Sequence, residues 1–166
     1  MLDRVREAVF SSLGELVEDA RVLDLFSGSG SLGLEALSRG AQSARFVERG
    51  REALGALEEN VESLGLGERA EVLSCDALSE RARSAPKDVQ GPWADLVFLD
   101  PPYPMIEGEE RAAVLELIET LRSEVLSEGG VIVLHAPKRA LDAHELGSEG
   151  SAKERTYGST AIWYLS

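Results

Sequence analysis

Short apolar runs alternate with stretches of helical spacing along most of the chain, and this alternation narrows the fold more than any other feature. RVLDLF (21–26), ARFVE (44–48), AEVLSCD (70–76), ADLVFLD (94–100) and VIVLH (131–135) read as strands. Between them, SLGLEALSRG (31–40), REALGALEENVESLGLG (51–67), a short piece at about 77–84 and GEERAAVLELIETLRSEVL (108–126) read as helices. Glycines close the first two, with Gly40 a C-terminal stop, and the last is expected to end before Glu128, Gly129 and Gly130. SAPKDVQGP (84–92) is a loop by composition. Asp3 is placed to cap a first helix, about 3–16, with Val5, Val9, Leu13 and Leu16 on its apolar face. The end reads as a hairpin, about 152–165, with Lys153 to Tyr157 and Thr160 to Leu165 joined near Gly158. Strands alternating with helices imply right-handed βαβ units and a mostly parallel sheet.

The 166 residues suffice for a single domain, 1–166, with a real core, and 43% of them are apolar. No apolar run approaches the roughly 18 residues of a spanning helix, and MLDRVREAVF has no signal-peptide pattern, so no membrane association is expected. Cys75 is the one cysteine, which excludes an intrachain disulfide and fits a reducing cytoplasm. The net charge of −13 disfavours indiscriminate binding to polyanions. Any nucleic-acid contact must use local cations, for which Arg4, Arg6, Arg49, Arg51, Lys138 and Arg139 are candidates, although most of them read more simply as solvated surface charges.

In parallel sheets ligands bind beyond the carboxyl ends of the strands. Strand one enters DLFSGSGSLG, where Gly28, Gly30 and Gly33 form a G-x-G-x-x-G at a helix start. Small residues there let a ligand approach free backbone amides; close strand–helix packing without a ligand is the alternative. Glu48 ends strand two, 18 residues after Gly30, where an acid can accept from ribose hydroxyls. Asp76 ends strand three and suits an exocyclic adenine amine, with the amides of neighbours such as Ala77 holding the ring; it could also cap the next helix. Cys75 reads as a small buried hydrophobe.

FLDPPYP (98–104) is the least ordinary stretch. A core strand ends there in Asp100, two prolines that remove backbone donors, and Tyr103. The following PMIEGEE has no periodicity and reads as a lid or a plain loop. His135, at the end of strand five, faces the same side of the sheet but reads more simply as a structural histidine. His144 carries no signal, and no metal-ligand spacing is present, so no metal is expected.

Taken together, DLFSGSG (24–30), Glu48, Asp76 and DPPY (100–103) resemble the motifs of S-adenosylmethionine-dependent class I methyltransferases, in their order. More narrowly, DRVREAVFSSL, DLFSGSGSLGLEALSRGA, LDPPY and RTYGSTAIWYL look like the bacterial small-subunit ribosomal RNA guanine-N2 methyltransferase family, over nearly the whole chain. The resemblance implies a Rossmann-like α/β fold: a seven-stranded, mostly parallel sheet with a reversed last strand and helices on both faces. It implies S-adenosyl-L-methionine as cofactor, held by Asp24, Phe26, Ser27, Gly28, Ser29, Gly30, Glu48, Asp76 and Ala77. It implies ribosomal RNA or the small ribosomal subunit as partner, and catalysis at Asp100, Pro101, Pro102 and Tyr103. There the Asp100 carboxylate and Pro101 carbonyl would each accept one N–H of a planar amine, and Tyr103 would stack the base. Members of that family usually carry further, largely basic residues ahead of DRVRE, whereas here Met1-Leu2 precede it, which lowers the expected affinity for RNA.

Other readings share parts of this pattern. DNA adenine-N6 methyltransferases can carry DPPY but need a target-recognition region. Protein glutamine methyltransferases usually have Asn at the position of Asp100. A nicotinamide oxidoreductase shares the glycine turn and leaves DPPY unexplained. A non-catalytic cofactor-binding module is the remaining option.

Overall fold

The computed structural model describes residues 1–147 and 150–166. Helices α1 (Asp3–Leu13), α2 (Ser31–Ser38) and α3 (Arg51–Ser63) alternate with strands β1 (Arg21–Leu25), β2 (Ser43–Glu48) and β3 (Ala70–Ser74). Then follow α4 (Glu80–Arg83), β4 (Ala94–Leu99), α5 (Tyr103–Glu107), α6 (Arg111–Thr120), β5 (Leu126–Pro137) and the hairpin β6 (Ala152–Tyr157) and β7 (Thr160–Leu165). The strands form one sheet in the order β3-β2-β1-β4-β5-β7-β6. The first five are parallel, and β7 runs antiparallel to both β5 and β6. This is the class I methyltransferase fold with its reversed last strand.

Period-2 alternation divides the core into two layers. Val22, Leu96, Phe98, Val133 and Ile162 point to the face covered by α1, α2 and α3. Leu23, Leu25, Val97, Leu99, Leu134 and Trp163 point to the other, beneath α5 and α6. Asp24 falls on the first face, at a position where alternation calls for an apolar residue.

Several local expectations are corrected. Asp3 does not cap α1: Leu2 holds the N-cap position without a side-chain bond, and Asp3 lies inside the first turn, paired with Arg6 at 3.1 Å. Gly14 (φ +53°) stops this helix at Leu13, and a 3₁₀ turn, Gly14–Val17, follows. Leu16 is therefore 52% exposed, and Phe10 takes its place in the core, with its ring 5.7 Å from that of Phe98. Strand one stops at Leu25 because Phe26 adopts φ +59°. Strand three stops at Ser74, and only Glu80–Arg83 is helical within 77–84. Helix α6 ends in a π-type turn, Leu121–Val125, and 128–130 belong to β5, whose register against β4 shifts between Ala94 and Leu96. The stretch after DPPY is no open lid. It forms α5, with Met105 and Ile106 buried, and the Arg111 guanidinium donates to the carbonyls of Ile106 (3.0 Å) and Ala140 (2.7 Å). Among the described residues, no helix is long and apolar enough to cross a membrane.

Gly33 shows how tightly α2 meets the sheet. A β-carbon there would lie 2.3 Å from Phe46 Cε1 and 3.0 Å from Asp24 Oδ2. Gly33→Ala is expected to destabilise the protein by about 1–3 kcal/mol, the usual range for overpacking. Thermal unfolding checks this, and an unchanged midpoint would show that α2 can move away from β2 without cost.

Candidate active site

The carboxyl ends of β1 to β4 share one edge of the sheet, and a cleft of about 420 Å³ opens there. That volume lies within the range of small-molecule sites, about 300–1,000 Å³. The chain leaves β1 through a turn with left-handed φ at Phe26 (+59°), Gly28 (+57°) and Gly30 (+89°). Glycine tolerates this conformation at two of the three positions without penalty. The turn is tied to β2, since the Ser27 amide and hydroxyl both donate to the Val47 carbonyl, at 3.0 and 3.3 Å.

Glu48 organises the wall. Its Oε2 accepts from the Gly28 amide at 2.9 Å, and its Oε1 accepts from the amides of Arg49 (2.9 Å) and Gly50 (2.8 Å). A carboxylate has about four acceptor sites, so three are used and one on Oε2 remains for a ligand hydroxyl. Asp76 Oδ1 accepts from the Leu78 amide at 2.9 Å, while its carbonyl accepts from the Ser79 amide at 3.0 Å. These bonds form a turn that holds Ala77 in the cleft wall. Asp76 does not cap α4, whose N-cap position is Ser79. Arg49 reaches Asp76 across the rim at 3.4 Å, and both are exposed, so the pair adds little stability.

Asp24 lies beneath this floor, 1% exposed. Its Oδ2 accepts from the Gly33 amide at 3.0 Å. Burial pushes its carboxyl up to about 8, the Gly33 bond opposes this, and the negative charges of Asp100 and Glu48 add to the rise. Asp24 is therefore largely uncharged at neutral pH.

The opposite wall is the tip of β4. Asp100, Pro101, Pro102 and Tyr103 all line the cleft. The Pro102 carbonyl accepts from the Met105 amide at 2.9 Å, starting α5. The Pro101 carbonyl, which precedes a residue without an N–H, accepts no hydrogen bond among the described residues. Asp100 Oδ1 lies 2.7 Å from His135 Nδ1, and the Tyr103 hydroxyl lies 3.3 Å from His135 Nε2 and 3.1 Å from Thr160 Oγ1.

Of the residues expected at the site, Phe26, Glu48, Asp76, Ala77 and the four DPPY residues line one cavity. Asp24, Ser27, Gly28, Ser29 and Gly30 are not among the residues that line it; Ser27 and Gly28 are tied to its wall through Val47 and Glu48, while the Ser29 carbonyl accepts from the Asn60 side chain of α3 at 3.1 Å. Cys75 is half-buried: it packs against the core beneath α5 and α6 and also lines the cleft. His135 and Thr160 were not marked as site residues by any motif. Only the pairing of Leu99 with Leu134, one residue earlier on each strand, brings His135 beside Asp100.

All 166 residues match the model of the family described as conserved hypothetical protein 95. The chain belongs to this family. It is 35% identical over 160 residues to the putative rRNA methyltransferase YlbH of Bacillus subtilis, covering 96% of this chain and 83% of that protein. It is 40% identical over 124 residues to ribosomal RNA small subunit methyltransferase D of Escherichia coli K12, covering 75% of this chain but 59% of that protein. The solved putative methyltransferase yhhF from Escherichia coli superposes with a TM-score of 0.77 at 30% identity, covering 99% of this chain and 86% of that one.

The buried Asp24 makes stability depend on pH. Its folded value, about 8, stands above the unfolded value near 3.8. Its contribution is therefore fully present below about pH 4 and is lost as the pH rises towards 8, by about 1.4 kcal/mol per unit. Asp24→Asn keeps an acceptor for Gly33 and cannot ionise. Its thermal midpoint should exceed that of the parent at pH 8, with the gap closing towards pH 4. A gap that does not vary with pH would contradict the assignment.

Proposed function

We propose that this protein is an S-adenosylmethionine-dependent N-methyltransferase acting on a guanine N2 amine of small-subunit ribosomal RNA. The observation that carries this reading is the meeting of two walls in one cleft: the Glu48–Asp76 side and the Asp100–Tyr103 tip. The residues fit the cofactor. Glu48 keeps one acceptor site for a ribose hydroxyl, Asp76 and Ala77 present a carboxylate and backbone to an adenine edge, and Phe26 supplies an apolar wall. The carboxylates Glu48, Asp76 and Asp100 make the cleft favourable to a cation. When bound, S-adenosylmethionine supplies an electrophilic methyl on a positively charged sulfur.

The chain's own task is then to present a poor nucleophile. The lone pair of an exocyclic amine is delocalised into its ring. Asp100 and the Pro101 carbonyl each accept one N–H, which frees the third direction for bond formation. Two prolines hold the carbonyl in place beforehand, so little reorganisation remains during the reaction. Tyr103, 38% exposed and fixed through its hydroxyl, offers a ring face worth about 1–3 kcal/mol to a stacked base. Direct transfer requires no covalent enzyme intermediate, and the acceptor base must leave its own stack to reach the cleft. The names of the relatives, YlbH as a putative rRNA methyltransferase and a ribosomal RNA small subunit methyltransferase, support ribosomal RNA as the acceptor, and an enzyme acting on that RNA would work in the cytoplasm.

Labelled methyl transfer to small subunits, naked ribosomal RNA, DNA and protein tests the proposal, followed by nucleoside analysis. Label in ribosomal RNA as N2-methylguanosine is expected; label in DNA, in protein, or as N6-methyladenosine would contradict it. Asp100→Ala should lower turnover by about 100-fold or more, with cofactor affinity changed by no more than about threefold as measured by calorimetry. Retained turnover would remove Asp100 from the mechanism.

A further inference from the structure

The Asp100–His135–Tyr103–Thr160 cluster is more than the proposed chemistry requires. His135 is 7% exposed and sits at the end of β5, in register with the tip of β4. Its ring touches both halves of the candidate acceptor apparatus. Nδ1 lies 2.7 Å from Asp100 Oδ1, and Nε2 lies 3.3 Å from the Tyr103 hydroxyl and 3.4 Å from Thr160 Oγ1. The Tyr103 ring meets the imidazole edge-on, with centroids 5.7 Å apart and planes at 67°. A carboxylate only accepts, so Nδ1–H donates to Asp100; in the neutral ring Nε2 then accepts from the Tyr103 hydroxyl.

We infer that His135 is a positioning residue that sets Asp100 and Tyr103 as one unit. It occupies Oδ1 of Asp100 and fixes the carboxylate, so that Oδ2, which has no hydrogen-bond partner among the described residues, is the oxygen turned to the incoming amine. Through Nε2 and Thr160 the same ring holds the phenol against rotation, which sets the plane on which the base stacks. An aspartate and an exposed tyrosine left alone would sample several rotamers. One buried imidazole removes that freedom from both, and a misplacement of about 1 Å can cost about 100-fold in rate. The role rests on the proposed amine methylation, because it defines which carboxylate oxygen the amine meets.

The test compares three variants of the whole protein in methyl transfer to small-subunit RNA. His135→Ala should lower kcat about 10- to 100-fold, with S-adenosylhomocysteine affinity within about twofold of the parent. His135→Asn places an amide N–H near the former Nδ1 and should recover most of that kcat. His135→Gln, with its donor near the former Nε2, should not. Unchanged kcat in His135→Ala would overturn the inference, as would equal kcat in the Asn and Gln variants, or a loss of kcat that merely follows lost cofactor binding. A second arm needs no turnover, so it separates this inference from the proposed reaction. NMR of the ring nitrogens should show a slowly exchanging Nδ1 proton on His135 that disappears in Asp100→Ala; its absence from the parent protein would overturn the inference even if transfer occurs.

Discussion

The parallel pairing of β1 with β4 is the constraint on which the site depends. Val22 to Leu25 lie beside Leu96 to Leu99, so both strands end at the same level. Each must then leave the sheet without colliding with the other. β1 does so through left-handed backbone at Phe26, Gly28 and Gly30, and β4 through a proline pair that cannot extend the ladder. The two exits diverge, and the space between them is the cleft. The Asp100 amide still reaches the Leu25 carbonyl at 3.4 Å, marking how close the turns stand before they part. The same pairing leads from β4 to β5, where it brings His135 to Asp100.

The electrostatics follow from this geometry. Asp24, Glu48 and Asp100 converge from two adjacent strands and the strand tip beside them, in a protein of net charge −13. They are managed in different ways. Asp24 is buried and held largely neutral. Glu48 is saturated with backbone amides on one oxygen and half-used on the other. Asp100 has a histidine on one oxygen only. A polyanion gains nothing from the bulk field of such a molecule. Its approach must rely on local cations, and Lys138, whose amide bonds the Ser159 carbonyl, stands next to the hairpin turn that carries Thr160.

Much of this was legible in the chain because it rests on local chemistry. Apolar runs between helical stretches marked β1 to β5, the turn near Gly158 marked the hairpin of β6 and β7, and the glycine turn and DPPY marked both exits from the sheet. What escaped depends on tertiary packing. Leu16 fits the helical period of α1, but Gly14 ends the helix first, and Phe10 fills the core against Phe98. PMIEGEE has no periodicity, yet it folds as α5 because Met105 and Ile106 find the core and Arg111 ties the following turn to Ala140. Arg45 sits mid-strand where an apolar residue is expected; it is accommodated by Glu71, the Ser84 carbonyl and the Trp93 ring. His135 has no spacing signature at all. Its place beside Asp100 is a matter of register between β4 and β5, which no single strand encodes.

The central claim is that a ligand lodged over the β1 turn has its reactive centre facing the β4 tip. A crystal structure with S-adenosylhomocysteine tests this most directly. The ribose should bond Glu48, with the sulfur opening towards a space bounded by Asp100, Pro101 and Tyr103, near enough for an amine there to approach at about 3–3.5 Å in the methylated form. A product molecule bound away from Glu48, or with its sulfur screened from Asp100 by other side chains, would contradict the account.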